Sequence, residues 1–195
     1  MRPAVFLDRD GTMIHDVGYL SRREDVQWYP WTIDAIRLLN RAGFLVCVTT
    51  NQGGIGLGFY DEQFVRDLHE EMSAVLASAG GCVDGWYFCP HHPAAIIDQL
   101  RVACECRKPR PGMIRQAAAD LPIDLTRSFV IGDKAADVGL ANGVGARAVL
   151  VKTGYGQAEL QRHAGGVPGT AHVAENLLDA VSWILMDAGF PKDIL

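Results

Sequence analysis

The chain has 195 residues, of which 49% are apolar and 21% charged, with a formal net charge of −5. That is enough chain for one α/β domain with a sizeable core, and the acidic balance argues against nucleic-acid binding, which calls for a basic face. No apolar run approaches the roughly 18 residues that span a bilayer, so no membrane partner is expected. The N-terminal apolar stretch runs straight into Asp8 instead of forming a leader. Five cysteines, an odd number with three close together, fit a reducing compartment, and the cytoplasm is the expected location.

The first expected strand, over 4–7, is the apolar run Ala4-Val5-Phe6-Leu7, which ends in Asp8-Arg9-Asp10-Gly11-Thr12. A short buried strand of this kind delivers two carboxylates to the carboxyl edge of a sheet, where α/β proteins place ligands. Two carboxylates about 4 Å apart repel by roughly 4 kcal/mol at an effective dielectric near 20, so a raised pKa or a divalent cation must offset them. Arg9, between the two aspartates, is expected to point away from them as a structural residue. Trp28, Tyr29 and Trp31 read as packing at the entry to a helix over 31–41. A strand over 44–49 runs into Thr49-Thr50-Asn51-Gln52-Gly53-Gly54, a hydroxyl and flexible amides that can grip phosphoryl oxygens.

The spacing of Phe64, Leu68, Met72, Val75 and Leu76 predicts a helix over 61–79, with Asp61 as cap and Gly80-Gly81 as stop. His69, Glu62, Glu70 and Glu71 fall on its solvated side. A strand over 85–88 leads to Cys89-Pro90-His91-His92, followed by Cys104-Glu105-Cys106. Four soft or borderline ligands in two tight pairs suit tetrahedral zinc; the other reading is a set of buried thiols beside a surface histidine. A metal clip would explain how 94–103, which carries little core pattern, stays ordered. Cys47 and Cys82 read as inert thiols. Arg107-Lys108-Pro109-Arg110-Pro111-Gly112 places cations just before a helix over 111–120.

A strand over 129–132 runs into Gly132-Asp133-Lys134-Ala135-Ala136-Asp137, and a helix over 135–143 stacks the two aspartates on one side. Strands over 146–151 and near 172–174 and a helix over 175–188 complete the pattern, with 154–169 read as a surface loop or linker. The alternation predicts a Rossmann-like parallel sheet with helices on both faces, in one domain over 1–195. The intervals between the clusters leave no room for a cap domain.

The clusters D-x-D-G-T, T-N-Q, R-K-P and G-D-x-x-x-D, in that order and over roughly residues 4–156, resemble the haloacid dehalogenase superfamily of phosphotransferases. The resemblance implies that Asp8 attacks phosphorus and becomes an aspartyl phosphate. Asp10 would be general acid and then base. Mg²⁺ would be held by Asp8, the main-chain carbonyl of Asp10, and Asp133. Thr50 and the Asn51 amide would hold phosphoryl oxygens, Lys108 would balance charge, and Asp137 would serve Lys134 or the outer shell.

The zinc loop over 89–106, the absent cap, Leu150–Gly156 and His15-Asp16-Val17-Gly18-Tyr19 narrow the resemblance to the heptose-bisphosphate and histidinol-phosphate phosphatase subfamily. Its C-x-H pattern selects Cys89, His91, Cys104 and Cys106 as the Zn²⁺ ligands. The resemblance further implies a small sugar-phosphate substrate, removal of the C7 phosphate of a heptose 1,7-bisphosphate for nucleotide-heptose and lipopolysaccharide or surface-glycan synthesis, and a monomer. Tyr19 and Gln52 would touch substrate, and Arg107 with Lys108 would engage the phosphate left at C1. Histidinol phosphate is the alternative substrate, and a zinc-stabilised binding module the alternative without catalysis. One departure is Leu57, where this subfamily often carries arginine; it predicts a weaker grip on a second phosphate.

Overall fold

The computed structural model describes residues 1–164 and 166–190; position 165 of the expected linker and the last five positions of the expected domain lie outside the described residues. Six strands, β1 (Ala4–Leu7), β2 (Leu45–Asn51), β3 (Gly85–Cys89), β4 (Phe129–Gly132), β5 (Arg147–Val151) and β6 (Thr170–Ala174), form one sheet in the order β3-β2-β1-β4-β5-β6. Every pairing is parallel. The helices are α1 (Thr32–Arg41), α2 (Glu62–Ser78), α3 (Gly112–Asp120), α4 (Ala135–Asn142), α5 (Gly156–Arg162) and α6 (Leu177–Asp187).

Side chains alternate across each strand, and this chain fills both sides. Val5 and Leu7 meet Ile36 and Leu39 of α1, Leu68 and Met72 of α2, and Val181 and Ile184 of α6. Ala4 and Phe6 meet Met113 and Ile114 of α3 and Val138 of α4. Burying each such Leu, Ile or Phe contributes about 1.5–3 kcal/mol. Strands covered on both faces read as unbroken apolar runs, which is why the strands were legible.

Strand order places the chemistry. The chain steps outward from β1 to β2 and β3, then returns to the other side of β1 as β4. The connections leaving β1 and β4 therefore diverge, and a crevice opens at their carboxyl ends. Asp8 follows β1 and Asp133 follows β4.

Two expectations need correcting. The apolar face of α2 is Val65, Leu68, Met72 and Leu76, with His69 among them at 4% exposure, while Val75 is 43% exposed. The stripe starts one residue later than the reading from Phe64, and that rotation turns His69 inward. Residues 154–169 also hold α5, whose Leu160 packs on the second core. A Cβ at Gly156 would run into the Val151 carbonyl, so the glycine marks a close approach of backbones, not a linker. No helix of the described residues is long and apolar enough to cross a membrane.

Candidate active site

Asp8 begins where β1 ends, its N–H donating to Ile131 O of β4 at 2.9 Å. Its Oδ1 accepts from Arg9 N at 2.7 Å and lies 2.9 Å from Lys108 Nζ. Asp133, fully buried, faces it across the crevice: ligand oxygens of Asp8, Asp133 and Asp137 all lie within 4.8 Å of one another. Asp133 Oδ2 accepts from Tyr155 N at 2.7 Å, whereas its Oδ1 has no hydrogen-bond partner among the described residues. Burial, and then the charge of Asp8, pushes the Asp133 carboxyl up to about 8. Gly11 (φ +83°) and Gly154 (φ +54°) close around this carboxylate, and a Cβ on either would collide with it. A buried carboxylate with one oxygen outside any hydrogen bond and 3.8 Å from Lys134 Nζ, cradled beside a second carboxylate, is a donor set for a hard divalent cation, whose charge would reverse that pKa rise.

Lys108 is the counter-charge already in place. Its Nζ lies 2.7 Å from Asp137 Oδ1 and 2.9 Å from Asp8 Oδ1, and donates to Thr49 O at 2.9 Å. Burial opposes the charge, but Asp137 and Asp8 outweigh it and raise the lysine's pKa. Burial pushes Asp137 up to about 6, with Lys108 holding it down. Its Oδ2 also accepts from Lys134 N at 3.1 Å, at the start of α4. The side-chain amide of Asn51 is committed to the Lys108 main chain, accepting from its N–H at 3.0 Å and donating to its carbonyl at 3.3 Å. The Asn51 side chain therefore positions the lysine.

Asp10 faces a different set of groups. Gln52 Nε2 donates to its Oδ2 at 3.0 Å and to Thr50 Oγ1 at 2.8 Å, and Thr50 Oγ1 reaches Asp10 Oδ2 at 3.5 Å. Gln52 Oε1 accepts from Tyr60 OH at 2.9 Å, and burial raises the Tyr60 pKa to about 12. Arg9 does not point away. Its NH2 forms an ion pair with Asp10 Oδ2 at 2.9 Å, and it is 1% exposed. The chain turns right after β1, where Met13 N bonds Arg9 O at 2.9 Å, so the alternation of an extended strand no longer applies. His69, expected in solvent, lies 3.3 Å from Arg9 NH1.

A cavity of about 340 Å³ opens over this floor, lined among others by Asp10, Tyr19, Gln52, Arg107, Lys134 and Tyr155. Leu57 does not line it. Lys134 Nζ bridges to Asp16 Oδ2 at 3.1 Å and sits 4.6 Å from the Tyr155 ring centroid. Tyr19 stacks on Phe59 with centroids 4.5 Å apart, and both are about half exposed. A larger cavity of about 430 Å³ lies at the opposite edge of the sheet, beside Pro3, Phe44, Phe129 and Arg147. Neither carboxylate cluster nor thiol cluster borders it, so size does not decide here.

The expected zinc ligands converge. His91 Nδ1 is 3.6 Å from Cys89 Sγ and 3.3 Å from Cys106 Sγ, and the three sulfurs are 3.2–3.6 Å apart. A zinc–thiolate tetrahedron has edges of roughly 3.5–3.8 Å, so the cluster fits that ion with small adjustments. Burial pushes the Cys89 thiol far above its ordinary range, and a bound cation would remove that penalty. Arg107 follows the last ligand directly, and its NH1 donates to His91 O at 2.9 Å. The cluster thereby fixes the root of a cation that lines the cavity.

A HAD-hydrolase-like family model matches residues 105–180. A curated D-glycero-D-manno-heptose-1,7-bisphosphate 7-phosphatase from Thermosynechococcus vestitus is 40% identical over 187 residues, 94% of this chain and 95% of the relative. The chain belongs to the heptose-bisphosphate phosphatase family of haloacid dehalogenase-like hydrolases. Within that family, the D-glycero-beta-D-manno-heptose-1,7-bisphosphate 7-phosphatase of Rhodopseudomonas palustris is 49% identical over 144 residues, 74% of this chain and 80% of the relative. A crystal structure of the D,D-heptose 1,7-bisphosphate phosphatase from B. bronchiseptica, complexed with magnesium and phosphate, superposes with a TM-score of 0.84. It is 32% identical and covers 96% of this chain and 99% of its own.

The family phosphatases are read from sequence by their motif residues, and that reading misses the partners that orient them. Tyr60, His69 and Lys134 each carry a contact of this site. Lys134 was read within its motif, and His69 left a trace at four residues after Val65 and three before Met72, on the buried side of α2.

Proposed function

We propose that this chain hydrolyses the C7 phosphate of D-glycero-D-manno-heptose 1,7-bisphosphate through an aspartyl phosphate on Asp8. The observation that carries the proposal is the pair Asp8 and Asp133 at the switch point, with one Asp133 oxygen outside any hydrogen bond among the described residues and Lys108 already balancing Asp8. Asp8, the main-chain carbonyl of Asp10 and Asp133 would hold Mg²⁺, which when bound neutralises charge on the transferring phosphoryl group. The relatives' names support the substrate, and the magnesium in the B. bronchiseptica complex supports the ion.

Asp8 Oδ attacks phosphorus while the bond to the sugar oxygen breaks, and Asp10 gives its proton to that oxygen. Asp10 then takes a proton from the water that attacks phosphorus, releasing phosphate and restoring Asp8. Thr50 and the main-chain amide of Asn51 take phosphoryl oxygens, and Lys108 keeps the Asp8 carboxylate compatible with an approaching anion. Arg107, whose fork suits a phosphate, takes the one that stays at C1, while Tyr19 and Gln52 border the sugar. Cys89, His91, Cys104 and Cys106 would hold a structural Zn²⁺, closed to substrate by four protein ligands. The product would be the 1-phosphate, ready for nucleotide activation. The chain acts as a monomer, in one domain, in the cytoplasm.

The experiment is phosphate release from the bisphosphate with and without Mg²⁺, beside Asp8→Asn, with zinc counted by elemental analysis of the purified protein. The proposal expects release that needs both Mg²⁺ and Asp8, and about one zinc per chain. Release by Asp8→Asn at the wild-type rate would reject the covalent route, and absence of zinc would reject the clip.

A further inference from the structure

Behind the pocket floor lies a buried polar chain that the reaction as proposed does not use. Arg9 aims its guanidinium at Asp10, with Nε 3.2 Å from both carboxylate oxygens and NH2 3.0 Å from Oδ1. Two further donors go to Gln52 Oε1 at 3.1 Å and His69 Nε2 at 3.3 Å. A guanidinium only donates, so His69 Nε2 accepts, which fixes a neutral ring with its proton on Nδ1. Burial, and then Arg9 and Arg66, lowers the His69 pKa to about 3, in keeping with that state. The ring stacks on Trp86 with centroids 4.5 Å apart, and Trp86 Nε1 is itself tied to Ser73 Oγ at 2.8 Å. Helix α2 and strand β3 thus hold the imidazole, the imidazole holds the guanidinium, and the guanidinium holds Asp10.

Packing alone does not call for this arrangement. Burying a guanidinium costs several kcal/mol, and a buried ion pair is often replaced by apolar groups without loss of stability. What the arginine supplies, and an apolar side chain would not, is a fixed direction for the Asp10 carboxylate. We infer that Arg9, oriented by His69, is a positioning residue that aims Asp10 for its proton transfers, so that His69 acts on turnover without touching substrate. The inference rests on the roles proposed above for Asp8 and Asp10.

The test is stopped-flow turnover of p-nitrophenyl phosphate by the Mg²⁺-loaded full chain. Nitrophenolate leaves without needing a proton, so the first step depends on Asp8, while the second still needs Asp10 to take a proton from water. Arg9→Met is expected to give a burst of about one equivalent of nitrophenolate followed by turnover slowed by about 100-fold. His69→Leu is expected to leave the first step at its wild-type rate and slow turnover by about 10-fold, and His69→Gln, whose Oε1 can accept from Arg9, to recover most of that loss. Unchanged turnover in both Arg9→Met and His69→Leu overturns the inference. So does a folded variant whose burst shrinks in step with its turnover, which marks a loss of both steps and not of the second alone, or a His69→Gln no better than His69→Leu. If Arg9→Met does not fold, the two His69 variants decide. Wild-type turnover by Asp8→Asn would reject the aspartyl-phosphate reading instead, a separate failure seen with Arg9 and His69 intact.

Discussion

Lys108 joins three oxygens that would otherwise be exposed to one another's charge: Asp8 Oδ1, Asp137 Oδ1 and Thr49 O. Lys108→Met leaves two buried carboxylates without a counter-charge and removes the cation beside the nucleophile. It is expected to lower kcat/KM by at least about 100-fold, measured on any phosphate ester the wild type accepts. His69 carries a different signature. Its folded pKa of about 3 lies below the ordinary histidine value of 6.5, so between these limits the unfolded chain binds a proton that the folded chain does not. Stability is lost as pH falls through that window, by about 2 kcal/mol at pH 5. Urea midpoints at pH 7 and pH 5 should therefore fall further for wild type than for His69→Gln. The motif residues were legible because their chemistry demands carboxylates, a hydroxyl and a lysine in fixed order. Arg9 was misread because a strand's alternation was extended past the residue where the chain turns, and His69 because its helix face was assigned one residue early.

At the scale of elements, the strands and the caps of α2 follow directly from local physics. Asp61 accepts from Phe64 N at 2.8 Å as the sequence indicates, and Asp61→Ala is expected to cost about 1 kcal/mol. That corresponds to a fall in Tm of about 2–4 °C for a chain of this size. Residues 154–169 were less legible. Glycines 154 and 156 are there because the loop after β5 lies against Gly11, Asp133 and the end of its own strand, a long-range demand that looks like flexibility in one dimension. The thiol cluster was legible as ligands, but its link to the cavity through Cys106, Arg107 and the His91 carbonyl was not, because that depends on where β3 ends.

For the whole molecule, the switch point brings the β1 and β4 carboxylates together, and the Cys/His loop over 89–106 brings a cation, Arg107, to the same cavity from outside the sheet. Loss of the clip should therefore be read in substrate binding as well as in stability. Cys104→Ser, or chelation of the proposed zinc, is expected to raise KM for the bisphosphate by about 10-fold or more, matching Arg107→Ala, with a smaller change for p-nitrophenyl phosphate. Equal changes for both esters would show that the loop shapes the nucleophile and not the distal phosphate. Leu57, which does not line the cavity, is expected to leave that grip to Arg107.

The most direct measurement is kcat/KM with Mg²⁺ for D-glycero-D-manno-heptose 1,7-bisphosphate beside histidinol phosphate, with Asp8→Asn as the blank. A preference for the heptose of about 100-fold or more, near 2.7 kcal/mol of transition-state discrimination, is the predicted result. An equal or greater kcat/KM for histidinol phosphate would contradict it and assign this pocket to a different phosphate ester.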